Sequence, residues 1–164
     1  MKKIELKFYE ENFAQHITKD AALVTAGTIN NYNTMTIGWA HIGNIWGRET
    51  VIVYVRPSRY TYKFMEENDY FTVSFYDNNH KKALGFLGTR SGKDLDKVKE
   101  VGFHAIELNN SVSFQEARIT FVLKKIYHHD LDSSLILNEI KDKYYKDNCY
   151  HRVYIGEIEE IIMH

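Results

Sequence analysis

The sequence predicts a mainly β fold, a closed antiparallel barrel with a few short helices. Three observations lead there. β-Branched and aromatic residues gather in short alternating runs spread along the chain. Strand follows strand without the sustained strand–helix repeat of a doubly wound sheet, and no G-x-G-x-x-G occurs. Roughly six antiparallel strands that leave few edges are most simply closed into a barrel. A chain of 164 residues without a linker or internal repeat is expected to form one domain, residues 1–164.

The elements follow in order. Residues 9–19 suit a short helix, and Ala21–Thr28 reads as a first strand. Ile29–Asn33 is a polar turn. Residues 34–46 form a second extended stretch, broken by Gly38 and Gly43, where a bulge or a close ligand approach is expected. Val51–Val55 is a third strand. Pro57 stops it, and Ser58 is placed to cap a helix running to about Asn68, with Tyr60 and Phe64 four apart. Over residues 70–76, Phe71, Val73 and Phe75 share one face and Thr72 and Ser74 the other. Residues 80–87 form a short helix; Ser91–Asp94 opens another, carrying Leu95, Val98 and Val101 and ending at Gly102. Arg118–Tyr127 alternates through Ile119, Phe121 and Leu123. Residues 133–141 fit a strand or a helix start. Arg152–Met163 is a final strand whose phase breaks at Gly156, where a bulge restores register.

Composition excludes several classes. Twenty-one Lys plus Arg against 22 Asp plus Glu leave a formal charge of −1, so no basic excess points to nucleic acid. No apolar run approaches the ~20 residues that span a bilayer, so no membrane partner is expected. Met1–Lys7 lacks the apolar core of a secretory leader, and the cytoplasm is the expected compartment. One cysteine, Cys149, excludes an intrachain disulfide and a Cys-only metal cluster. Twelve tyrosines read first as half-buried strand residues and only second as the lining of a site for a planar ligand.

Several motifs fail on chemistry. Gly88–Asp94 misses the P-loop spacing, and Asp94 replaces the magnesium-binding hydroxyl. Asp130–Ser134 resembles a calcium loop, but Leu135 stands where glycine is required and Lys141 where the bidentate acid belongs. His128 and His129 are strand neighbours that point to opposite faces, so no metal site is expected. No nucleophile elbow is present, and nothing beside Cys149 would lower its pKa. Three segments remain. Asn33–Trp39 is polar, then glycine, then aromatic. Arg56–Thr61 places two guanidiniums and two hydroxyls at a helix start, where free N–H groups suit phosphate. Ser91–Lys97 offers another helix start with nearby lysines. Together they supply phosphate donors, hydroxyls for a polyol, and polar groups with a ring for a heterocycle.

Asn33-Thr34-Met35-Thr36-Ile37-Gly38-Trp39, the Val-Arg-Pro-Ser-Arg-Tyr-Thr run ending at Thr61, Asn68-Asp69-Tyr70-Phe71, Gly88–Asp94, and His151 followed by Tyr154–Glu157 occur in a characteristic order. In that order and spacing the chain resembles the flavin reductase-like family with the FMN-binding split barrel, and within it the flavoredoxin group, over about residues 20–160. The resemblance implies an antiparallel Greek-key split barrel, a homodimer, and FMN near the subunit interface. It puts Asn33, Thr36 and Trp39 beside the isoalloxazine, Ser58, Arg59 and Thr61 at the ribityl chain or phosphate, and Ser91 and Lys97 at the phosphate. Thr34, Met35, Arg56 and Tyr60 complete the implied cofactor site. The implied activity is hydride transfer from NAD(P)H to flavin. The alternative is a non-enzymatic electron carrier that needs a redox protein partner. A pyridoxine-phosphate oxidase relative or a haem binder on a similar barrel fits the motifs less well. No catalytic acid or base is assigned, because flavin carries the redox chemistry itself.

Overall fold

A computed structural model describes residues 1–164. Its sheet begins with two hairpins: β2 (Ala22–Thr28) with β3 (Asn31–Ile37), and β4 (Ala40–Ile45) with β5 (Arg48–Val55). Three further strands, β6 (Tyr70–Phe75), β9 (Ile119–Asp130) and β10 (Arg152–Met163), join them in the antiparallel order β3-β2-β6-β9-β10-β5-β4. β10 pairs with β9 along its length, with β5 through Arg152–Glu157, and near its end with the short β1 (Lys2–Ile4).

One apolar cluster of 21 buried residues draws side chains from all seven strands of that path. The sheet has therefore curled around a common interior: Val24, Val53, Phe71, Phe121 and Tyr154 meet there from five different strands. β3 and β4 are the two ends of the path; Gly38–Trp39 joins them, and no ladder does. The barrel is split at that seam, as the family resemblance implies, and is not closed as the strand pattern alone suggests. Helix α1 (Phe13–Lys19) plugs one end, with Phe13 edge-on to Phe75 at 5.2 Å and to Phe121 at 5.8 Å. Helix α2 (Tyr60–Glu67) adds Phe64 and Met65 to the same core.

The bulge expected at Gly156 is present, as a register shift between Ile155 and Gly156; a second shift lies at Ile158–Glu160. Glycine is required at the first by space as well as by register. A Cβ on Gly156 would stand 2.7 Å from Phe71 Cζ and 2.8 Å from Leu123 Cβ. Two bulges let one 12-residue strand serve three neighbours.

A second cluster lies outside the barrel. Leu23 on β2 packs against Leu84 and Leu87 of α3 (Lys81–Thr89), Val98 of α4 (Lys97–Glu100), Phe103, and Phe114 of β8 (Ser111–Phe114), which pairs with β7 (Ala105–Leu108). That hairpin also covers the polar face of β6. Ser74, Ser113 and Thr120 share hydroxyl bonds of 2.8–3.0 Å, and Thr72 donates to Val112 O at 2.6 Å. The polar alternation of β6 thus marks a buried hydroxyl network rather than a wet face.

Several local expectations are corrected. The polar turn is only Ile29–Asn30, because Asn31, Tyr32 and Asn33 already pair with Thr28, Gly27 and Ala26. Gly38 ends a strand, but Gly43 lies inside β4; the break comes at Trp46–Gly47, both with positive φ. Ser58 does not cap α2: the N-cap is Arg59, and no side chain caps it. The helix expected from Ser91 starts only at Lys97, with Asp96 capping it through Lys99 N at 3.2 Å. The β7–β8 hairpin turns on Asn109 and Asn110, both with positive φ, and its four-residue strands are too short to show a period. Residues 133–141 become a 3-10 turn and the start of α5 (Asn138–Tyr144). No helix is long and apolar enough to cross a membrane.

Candidate functional site

Three elements converge outside the split end of the barrel: the edge strand β3, the N-terminus of α2, and the segment that follows α3. Pro57 cannot continue the ladder of β5, so the chain turns; Arg59 N donates to Arg56 O at 3.0 Å, and α2 begins at Tyr60. The first N–H groups of α2 have no carbonyl within the helix and carry partial positive charge. On β3, Asn33 and Met35 share a face. Asn33 Nδ2 donates to Thr61 Oγ1 at 2.9 Å, which locks strand to helix.

Gly92 closes the third side. A Cβ there would lie 2.1 Å from Asn33 Oδ1, so only glycine lets the 90–96 segment approach β3. Gly88 plays the same part against Thr36, where a Cβ would stand 2.9 Å from the threonine Cβ. These two glycines account for the spacing of the Gly-Thr-Arg-Ser-Gly-Lys-Asp segment.

The result is a cleft of about 90 Å³ lined by Asn33, Met35, Ser58, Arg59, Tyr60, Thr61, Thr89, Arg90, Ser91, Gly92 and Lys97. It holds three cationic side chains and no carboxylate. Arg59 donates to Gly88 O. Lys97, only 3% exposed, donates to Leu87 O at 2.8 Å and Arg90 O at 3.0 Å. Burial, and secondly the Arg59 guanidinium, push the Lys97 ammonium down to about 8. Neutral carbonyls at the end of α3 are thus the partners of a cation that has no counter-ion. A buried charge of this kind favours an anionic ligand.

Of the twelve residues assigned from the sequence, the structure brings Asn33, Met35, Ser58, Arg59, Tyr60, Thr61, Ser91 and Lys97 together in this cleft. Four lie elsewhere. Thr34 points to the other face of β3, accepts from Thr25 Oγ1 at 2.8 Å and donates to Val24 O at 3.1 Å. Thr36 ties β3 to α3 by donating to Leu84 O at 2.5 Å. Arg56 pairs with Asp147 at 2.9 Å, donates to Tyr144 O and lies over the Tyr145 ring. Trp39, 39% exposed, packs against His151 at 4.7 Å and Tyr144 at 5.4 Å.

Trp39 and Arg56 therefore belong to a separate aromatic group. The Tyr145 hydroxyl and His151 Nδ1 lie 2.8 Å apart. Burial first, and the Arg56 charge second, push His151 down to about 4. The segment that supplies Tyr144 and Tyr145 carries no recognisable motif in the sequence, and Thr89, Arg90 and Gly92 are cleft residues beyond the twelve that the sequence points to. The signal for the last three lies in the Gly88–Asp94 segment, which contributes Thr89, Arg90 and Gly92 to the cleft along with Ser91.

The profile of the flavin reductase like domain family matches residues 14–163. Among solved structures, flavoredoxin from Methanosarcina acetivorans superposes with a TM-score of 0.68 at 20% identity, covering 88% of this chain and 68% of that one. Flavoredoxin of Desulfovibrio vulgaris (Miyazaki F) gives 0.67 at 21%, covering 100% and 77%. The FMN-binding protein from Thermus thermophilus gives 0.68 at 16%, covering 99% and 80%. At these identities the structural likeness speaks for the fold. No curated protein matches the sequence.

Proposed function

Because the chain belongs to the flavin reductase-like domain family, we propose that the cleft holds the phosphate of FMN and that the protein is an oxidoreductase passing hydride from NADH or NADPH to flavin. The observation that carries this reading is the charge of the cleft, three cations without a carboxylate. Its donor set fits a phosphate monoester. Ser58, Arg59 and the first N–H groups of α2 approach from one side, and Arg90, Ser91 and Lys97 from the other. Gly92 adds a backbone approach that any side chain would block. FMN, when bound, supplies the two-electron chemistry. The chain's own part is to anchor the phosphate, to fix β3 against α2 through Asn33 and Thr61, and to present the face of β3 that carries Met35. The family and the FMN-binding Thermus neighbour both support FMN as the cofactor.

The protein acts as a homodimer in this reading. On the outer face of the sheet, Val153 and Ile155 of β10 stand beside Tyr54 and Ile52 of β5 and His129 and Tyr127 of β9. Trp46, next to Tyr127 at 5.9 Å, extends this apolar face. An obligate interface of that character buries over ~2,000 Å² in total.

A second reading, an FMN electron carrier that docks a redox protein, is favoured by Leu135 and Leu137, which are 82% and 64% exposed. Aerobic oxidation of NADH and NADPH with added FMN separates the two. Turnover that requires FMN supports the reductase. FMN binding without nicotinamide oxidation transfers the case to the carrier.

A further inference from the structure

We propose that the phosphate cleft is also a covalent site for small phosphorylated aldehydes, in which Lys97 Nζ closes on the aldehyde carbon as an imine. This site and the FMN reading both need the cleft to hold a phosphate; nothing else is shared between them. Lys97 is the only lysine among the buried residues, and it is reached from two sides. The phosphate cleft is one. The other is a cleft of about 290 Å³ between the Ile29–Asn30 turn and residues 92–98, which has Asn33, Gly92 and Lys97 in common with the first. A molecule held by its phosphate against Ser58, Arg59 and Ser91 therefore meets Lys97 within the same cleft, and its further atoms have room beyond.

The amine is set up as a nucleophile. Without its extra proton, Nζ has two N–H groups and one lone pair. Leu87 O at 2.8 Å and Arg90 O at 3.0 Å take the two N–H groups, so the lone pair is left the remaining tetrahedral position, away from both carbonyls. Burial first, and the Arg59 charge second, make the neutral form accessible. At about 8, roughly a tenth of the amine is unprotonated at pH 7, against about one part in 3,000 for an ordinary lysine. The charged groups around it are Arg59 before α2, Arg90 after α3, and Asp96, which caps α4 and lines the second cleft. No carboxylate lines the phosphate side. The lone pair attacks the aldehyde carbon, and the C=O electrons move to oxygen. Loss of that oxygen as water leaves a C=N bond. One ammonium and one aldehyde thus give one protonated imine and one water, with no oxidant, no reductant and no change in net charge. The protonated imine keeps a positive charge beside the phosphate and one N–H for a carbonyl at the end of α3. Because both phosphates take the same place, the aldehyde and FMN exclude each other.

The test treats the full chain with glyceraldehyde 3-phosphate, or with unphosphorylated glyceraldehyde as the control, and traps the imine with cyanoborohydride. Peptide mass mapping then locates and counts the label. Lys97 is expected to take the first equivalent, at least about tenfold faster than any exposed lysine. Its labelling should rise from pH 7 to about 8 and then level off, as the amine loses its proton. Glyceraldehyde should label Lys97 at least about tenfold more slowly, and saturating FMN should protect it. In Lys97→Arg, which keeps the charge and forms no imine, the cleft label should vanish. Labelling spread over the exposed lysines, or equal labelling of Lys97 by both aldehydes, overturns the inference. A separate fluorescence titration with FMN keeps the two readings apart. FMN binding without a label at Lys97 overturns the inference alone. A phosphate-dependent label at Lys97 in a protein that does not bind FMN overturns the FMN reading alone.

Discussion

Replacing Lys97 with methionine should weaken FMN roughly 10- to 150-fold and hardly alter riboflavin. A charge-assisted hydrogen bond to phosphate is worth about 1.5–3 kcal/mol, and ~1.4 kcal/mol is tenfold in affinity. Methionine refills the buried stem of a residue that is 3% exposed. The substitution also leaves Leu87 O and Arg90 O without their donor, which lowers stability but acts alike on both ligands. pH supplies a second axis. The free ammonium is pushed down to about 8, and a phosphate dianion beside it raises it again. FMN affinity should therefore stay level from pH 7 to about 8 and fall as pH rises further. Riboflavin should show no such fall, nor should Lys97→Met with either ligand. The assay is fluorescence titration of both ligands at fixed ionic strength. Equal losses for both would place Lys97 in the fold and not at the phosphate; no loss for either would leave it as a clamp on α3 alone.

Other outcomes follow from the same geometry. Gly92→Ala places a Cβ 2.1 Å from Asn33 Oδ1, so it should displace the 90–96 segment and reduce FMN affinity at least tenfold in the same titration. Gly156→Ala drives a Cβ into Phe71 and Leu123 and should destabilise the fold by about 1–3 kcal/mol, read as a lower urea midpoint. His151 sits at about 4 in the fold against 6.5 for a free imidazole. Between those values the unfolded chain binds more protons, so stability should fall as pH drops from 6.5 to 4, by about 1–2 kcal/mol for a half-buried ring that solvent partly screens. Denaturant titration of His151→Gln should lose that part of the pH dependence. In a Trp46→Phe background, Trp39 emission should fall on FMN addition if that ring borders the flavin; unchanged emission at saturation would remove Trp39 from the site.

Much of the barrel is legible because its strands alternate. Phe71, Val73 and Phe75 point inward from β6, and Ile119, Phe121 and Leu123 from β9. The break at Gly156 is readable for the same reason, since a lost phase in an otherwise regular strand has few causes. Cap and turn chemistry is less legible. Ser58 looks like a helix cap, yet Pro57 and the Arg59–Arg56 turn shift the start of α2 by one residue. The role of Gly92 depends on Asn33, fifty-nine positions away in the chain, and no local pattern reveals that contact. β3 shows the limit of reading a motif as a block. Asn33, Thr34, Met35 and Thr36 are contiguous, but a strand sends alternate side chains to opposite faces, so Thr34 and Thr36 leave the cleft that Asn33 and Met35 line. Likewise Arg56 and Arg59 belong to one segment, and only the surrounding fold gives the first an Asp147 partner and leaves the second in the cleft.

Phosphorus NMR of FMN mixed with one equivalent of protein tests the central claim most directly, because the phosphate is its own reporter. Free FMN phosphate titrates with a second pKa near ~6. Held among Arg59, Arg90 and Lys97, it should give a shifted, broadened resonance that stays dianionic well below that value, and Arg59→Ala should move the titration part of the way back towards that of free FMN. A resonance that keeps the position, width and pH response of free FMN, while the flavin ring is bound, would contradict the account.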